Sequence, residues 1–131
     1  MSWITPKTDW DSEDYFNIED YARIVNNLEW LRTKSSALSS LPEWTTMTLT
    51  KTYTDLPLAT MHNDIEHNLY YLNEETFGLD IGSKKTYYDN QVGFTCNDLN
   101  RIESACDSIK RRLLIYQGMP FILGQYKLVR P

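Results

Sequence analysis

The chain has 131 residues, a mass of 15.4 kDa and a formal net charge of −5. Hydrophobic residues at 41% and charged residues at 24% exclude wholesale disorder and suit one domain over 1–131 with a single core. No apolar run approaches the ~18 residues of a membrane span, Met1 to Pro6 lack the basic and apolar stretches of a signal peptide, and the acidic balance speaks against nucleic-acid binding.

In chain order, acidic residues come first: Asp9, Asp11, Glu13, Asp14, Glu19 and Asp20, with no base among them. They read as a solvated loop running into a helix start. A calcium loop would need Gly at the sixth position and Glu at the twelfth, and both are missing. Spacing alone brings no two of them to the separation of a glycosidase pair.

The first helix is expected at about 18–37, because Tyr21, Ile24, Val25, Leu28 and Leu31 form one stripe of period 3.6. Asn17 is its cap and Asp20 its third residue, where a carboxylate meets free N–H groups. Phe16 and Tyr21 stand at the positions of a hydrophobic staple. Ser35 to Ser40 reads as loop. From Thr46 to Thr54, threonine at every second position predicts a strand.

The second helix is expected at about 61–77, from Ile65, Leu69 and Leu72, and Gly78 ends it. The third is expected at about 96–117, from Leu99, Ile102, Cys106, Ile109 and Leu113. Phe94, Thr95, Asp98 and Leu99 repeat the staple and cap of the first start. Lys110, Arg111 and Arg112 suit a helix C-terminus, and Gly118 with Pro120 predicts the stop. Residues 121–129, broken at Gly124, predict a further strand or strand pair. The fold class expected is mainly α with short β elements, α+β.

The two cysteines, Cys96 and Cys106, sit ten residues apart in one helix, ~15 Å at 1.5 Å per residue. A disulfide needs under ~7 Å, so both read as small apolar side chains of a reducing compartment. His62 and His67 are five apart and do not make H-E-x-x-H. With no Gly-rich phosphate loop and no nucleophile elbow, neither cofactor, metal nor catalytic residue is expected.

An internal repeat runs through these elements. A shift of 78 residues aligns 5–31 with 83–109 through Lys7/Lys85, Thr8/Thr86, Asp11/Asp89, Phe16/Phe94, Asp20/Asp98, Arg23/Arg101 and Ile24/Ile102, with Trp10 opposite Tyr88. A weaker middle copy matches Ile65, Asn68, Leu69, Tyr71 and Leu72 to Ile24, Asn27, Leu28, Trp30 and Leu31, with Lys51, Thr52 and Asp55 ahead of it. The expected units are about 5–37, 45–77 and 83–117.

The residues of these copies resemble a segment of tail and baseplate proteins of siphophages and prophages of Gram-positive bacteria. Its form is K-T-x-W, a polar loop, then a helix opening [FT]-[NT]-A-x-D-[LY]-N-R-I. Lys7, Thr8, Trp10, Phe16, Asn17, Asp20, Tyr21, Arg23, Ile24, Asn27, Leu28, Trp30 and Leu31 match it, with Ile18 and Ala22 departing. Phe94, Thr95, Asp98, Leu99, Asn100, Arg101, Ile102, Glu103 and Ile109 match in the second copy, with Ala105 departing. The resemblance implies a non-enzymatic structural protein of the virion tail, a connector or accessory tail-tip protein assembled in the host cytoplasm. No fibre repeats follow the second copy, so a shaft is not expected. Implied partners are other tail and baseplate proteins and further copies of the chain, without nucleic acid or membrane insertion.

The alternative is a receptor- or carbohydrate-binding module for host attachment, stacking sugars on exposed Trp and Tyr. The tryptophans discriminate: buried Trp3, Trp10 and Trp30 favour structure, exposed ones a sugar site. The aromatic content, 13%, suits interfaces. The last third is basic and the first half acidic, which suggests head-to-tail docking or contact with an oppositely charged partner. The motif residues expected to matter are Trp10, Phe16, Asn17, Asp20, Arg23 and Ile24, then Phe94, Thr95, Asp98, Arg101 and Ile102.

Overall fold

A computed structural model describes residues 2–47 and 59–129, with side chains up to Gln117. Three helices carry the fold: α1 (Ile18–Lys34), α2 (Ala59–Glu75) and α3 (Cys96–Val129). The described residues hold no strand, so the α+β expectation is corrected to all-α. Beyond Met47, the strand expected over 46–54 lies outside the described residues, as do Lys51, Thr52 and Asp55. The strand expected over 121–129 is helix instead, the continuation of α3 through Gly118 and Pro120. Glycine and proline weaken a helix without forbidding it. The spacing Ile115, Met119, Ile122, Tyr126, Val129 alternates steps of four and three, which is helical periodicity.

Both helix starts form as capping residues dictate. The Thr95 N–H donates to Asp98 Oδ2 at 2.9 Å, and the Asp98 N–H donates to Thr95 Oγ1 at 3.2 Å. At α1 the Asn17 N–H donates to Asp20 Oδ2 at 2.9 Å. α1 stops at Lys34, short of residue 37, because Leu38 turns back to the Ser35 carbonyl at 2.8 Å. α2 closes with Gly78 at φ +58, its N–H on the Asn73 carbonyl at 2.8 Å.

The helices run parallel. Phe16 ahead of α1, His62 in the first turn of α2 and Phe94 ahead of α3 cluster at one end, with ring centroids 5.8 Å apart for Phe16–Phe94 and 4.0 Å for His62–Phe94. At the other end Trp30 meets Trp3, whose ring carries Lys110 Nζ at 4.9 Å, and Phe77 meets Tyr116. The stripes of all three helices fill one core: Ile24, Leu28 and Leu31 with Ile65, Leu69, Leu72, Ile102, Ile109 and Leu113. α1 and α2 have 17 residues each and α3 has 34, so α3 runs about 24 Å further past Leu113 at 1.5 Å per residue.

Parallel helices need return segments, and the chain supplies extended ones. Residues 4–10 climb from the level of Asn27 in α1 to that of Asn100 in α3. Residues 79–87 climb from Asn73 to Asn63 along α2. These segments lie between helices rather than beside another strand, which is why extended chain appears here without a sheet.

Candidate functional site

The helices are tied together by two buried ion pairs built alike. Arg23 of α1 reaches Glu103 of α3, with Nε on Oε1 at 2.7 Å and Nη2 on Oε2 at 2.8 Å. Arg101 of α3 reaches Glu66 of α2, with Nη1 on Oε1 at 2.8 Å and Nη2 on Oε2. Side-on pairing of this kind gives each carboxylate two charge-assisted bonds. Glu66 and Glu103 are each only 1% exposed.

An aromatic donor completes each carboxylate. Trp10 Nε1 donates to Glu103 Oε2 at 2.7 Å, and Tyr87 Oη donates to Glu66 Oε2 at 2.7 Å. The Lys7 N–H adds a bond to Glu103 Oε1 at 3.2 Å, and Arg101 Nη1 also donates to Tyr70 Oη at 2.9 Å. The hydrogen bond to Glu103 raises Arg23 above the ordinary guanidinium range, against its burial. Burial pulls Arg101 down, but its bonds and charge contact with Glu66 outweigh that and raise it. Burial and the bond to Glu66 push the Tyr87 hydroxyl up. These groups hold fixed protonation states at neutral pH.

The two pairs are two sides of a triangle. Across the three helices the arginine position is 23, 64 and 101, and the glutamate position is 25, 66 and 103. α2 has Asp64 where the others have Arg, and α1 has Val25 where the others have Glu. The third side, from α2 back to α1, therefore lacks its ion pair. Burial raises Asp64, and burial together with Asp64 pushes Tyr21 up to about 12.

Asparagines hold the extended segments. The Trp10 N–H donates to Asn100 Oδ1 at 2.8 Å and Asn100 Nδ2 returns a bond to the Trp10 carbonyl at 2.9 Å. Asn63 does the same for Tyr87 at 2.8 and 2.9 Å. Asn27 holds Ile4 at 3.0 and 2.8 Å, and Asn68 holds Thr45 at 2.9 and 2.7 Å. Each side-chain amide replaces the neighbouring strand that the extended backbone would otherwise need. At the equivalent positions Ala22 and Ala105 carry no amide.

The described residues also form concavities. A cavity of about 150 Å³ lies under the 88–93 loop, against His62 and Tyr87. His62 is 6% exposed, neither ring nitrogen has a hydrogen-bond partner, and burial lowers its pKa to about 4. On α1 a shallow groove of about 460 Å³ runs along Ile4, Ala22, Val25, Asn26 and Glu29. Among the described residues, no three His, Cys, Asp or Glu side chains come together as metal ligands would.

The motif residues converge. Trp10, Arg23 and Arg101 form the ion-pair girdle; Asp20 and Asp98 cap their helices and flank the arginines, with Arg23 Nη1 on Asp20 at 2.9 Å and Arg101 Nη2 3.6 Å from Asp98. Phe16 and Phe94 stack edge to face, Asn17 and Thr95 stand at the caps, and Ile24 and Ile102 are fully buried. Trp10 is buried, and Trp3, Trp30 and Trp44 are half-buried. The structural counterpart of Trp10 is Tyr87 rather than Tyr88, because the second copy's loop is one residue longer. Sequence reasoning missed Glu66, Glu103, Asn63 and Asn100 as a set. The available signal was Ile-Glu at 65–66 and 102–103, a carboxylate directly beside a core stripe. Cys96 and Cys106 are both free thiols.

No family model, curated protein or solved structure matches the chain significantly.

Proposed function

We propose that the chain is a non-enzymatic structural component of a bacteriophage tail or baseplate, a connector or accessory tail-tip protein. The observation that carries the reading is where the tail-like motif falls. Its Trp, Asp and Arg positions build the girdle that fixes three parallel helices, so the motif specifies a scaffold. Glu66 and Glu103, the most buried carboxylates among the described residues, are each occupied by a guanidinium and an aromatic donor. Such pairs fix the orientation of the helices and occupy both oxygens of each carboxylate.

The sugar-binding alternative draws less support, because none of the four tryptophans is exposed and only tyrosines, Tyr15 and Tyr88, offer exposed rings among the described residues. Immunogold labelling of virions with an antibody to this chain is the direct test. Label on the distal tail is the expected result. Unlabelled particles, or digestion of purified peptidoglycan by the protein, would overturn the reading.

A further inference from the structure

The parallel arrangement gives the molecule two unlike ends. At the end where the helices begin, Tyr15 is 84% exposed, Tyr88 67% and Val92 74%. They adjoin the Phe16–Tyr87–Phe94 cluster and are flanked by exposed Asp11, Glu13 and Asp89. At the opposite end Leu114 is 50% and Ile115 59% exposed, where α3 leaves the core. The helix continues to Val129. Residues 108–131 contain five Lys or Arg and no Asp or Glu, so the first 107 residues carry −10 of the chain's net −5.

We infer that copies of this chain associate head to tail, the apolar, basic end of α3 in one copy seating on the acidic, aromatic end of the next. Charge selects this pairing. Two α3 extensions side by side would bring together the ten cations of residues 108–131, of which Arg111 in each copy is paired with Asp107, and two heads would bring together a net excess of carboxylates, since Lys7 and Lys85 there are already paired with Asp9, Asp14 and Asp98. Head against tail joins opposite signs and covers apolar surface on both. The helix dipoles contribute roughly half a positive charge at each of three N-termini, too little to neutralise the carboxylates there. Gly118, Pro120 and Gly124 give this part of α3 poor intrinsic helicity, so a covering surface is what would hold it helical. The contact is heterologous, and successive copies form a ring or an open stack according to the rotation between them.

This inference specifies the self-contact within the proposed tail role, but virion labelling and self-association are independent readouts. Labelled virions with a monomeric protein would leave the tail role standing with a different partner.

The test uses the full chain in two variants at exposed positions. One carries Tyr88→Lys with Val92→Lys, and the other Leu114→Glu with Ile115→Glu. Circular dichroism establishes that each is folded, and sedimentation velocity measures mass. The wild type should associate with rising concentration and come apart as salt screens the charges, by about 0.5 M. Each variant alone should associate at least ~10-fold more weakly, and their mixture should stop at a 1:1 dimer, because one intact head and one intact tail remain. Should either variant unfold, Asp11→Lys with Glu13→Lys and Arg111→Glu with Arg112→Glu replace them in the same mixing scheme. A wild type that stays monomeric would overturn the inference. So would a head variant that associates like wild type, a mixture that stays monomeric, or binding of α3 to anionic lipid vesicles with no self-association.

Discussion

Trp10 and Tyr87 are the same part in two copies of one device. Each is held at its backbone by an asparagine and gives a ring-borne proton to a buried glutamate that an arginine already neutralises. Indole and phenol differ in shape, but both place a donor at the far edge of a large apolar ring. The device asks for that combination, not for one residue type.

The ion pairs should behave as units. Arg101→Met alone leaves Glu66 buried without its cation and should cost ~3–5 kcal/mol. Arg101→Met combined with Glu66→Met should cost much less than the sum of the single changes. Urea denaturation in a double-mutant cycle reads the coupling. Additive losses would mean that the pair does not act as a unit.

The asparagine clamps should be individually costly. Asn100→Ala strips partners from both the N–H and the C=O of Trp10, each worth ~1–3 kcal/mol if left unsatisfied. Asn100→Asp keeps the acceptor and loses the donor, so it should fall between alanine and wild type. Thermal unfolding followed by circular dichroism gives the order.

Gly93→Ala should destabilise although the residue sits outside every helix. A Cβ there would stand 2.5 Å from His62 Cε1, and that ring is confined between Tyr87 and Phe94. Something must move, at a cost of about 1–3 kcal/mol. His62→Ala in the same chain should recover part of that loss, which urea titration of the two variants measures.

His62 should make the fold acid-sensitive. Burial lowers its pKa from 6.5 to about 4, so the folded state disfavours the charged ring. Between pH 6.5 and 4 the unfolded chain holds more protons, and stability falls as pH falls through that window. Asp98 and Glu66 face the ring and favour its charged form, which moderates the effect, and the neighbouring Tyr87 is neutral there. The difference between wild type and His62→Gln, measured in urea at pH 7 and pH 4.5, should shrink at the lower pH by on the order of 2 kcal/mol. A difference independent of pH would exclude His62 as the source.

Much of the fold was legible because capping and stripe residues act locally. Asn17, Asp20, Thr95 and Asp98 placed two helix starts, and the stripes through Ile24, Ile65 and Ile102 placed the core. The girdle was not legible, since Arg23 and Glu103 are 80 residues apart and only the packed helices bring them together. The C-terminal strand expectation fails because α3 continues through Gly118 and Pro120, whose cost to a helix is finite, and the spacing from Ile115 onward is helical. The offset of 78 put Trp10 opposite Tyr88, because a constant shift cannot absorb one inserted residue in a loop.

The N-terminal segment is finished by the last helix. Lys7 and Trp10 bond to Glu103 and Asn100, 96 and 90 residues further on. At about 5–20 residues per second, a ribosome needs roughly 5–20 s to supply those partners after Trp10 is made. During that interval Trp10 and Arg23 lack their partner Glu103, and α1 has only α2 to pack on. Contacts this distant in sequence also slow folding itself, because the chain must close about three-quarters of its length before they form. The same closure that joins three helices into one body leaves the first of them without its α3 partners until the third is made.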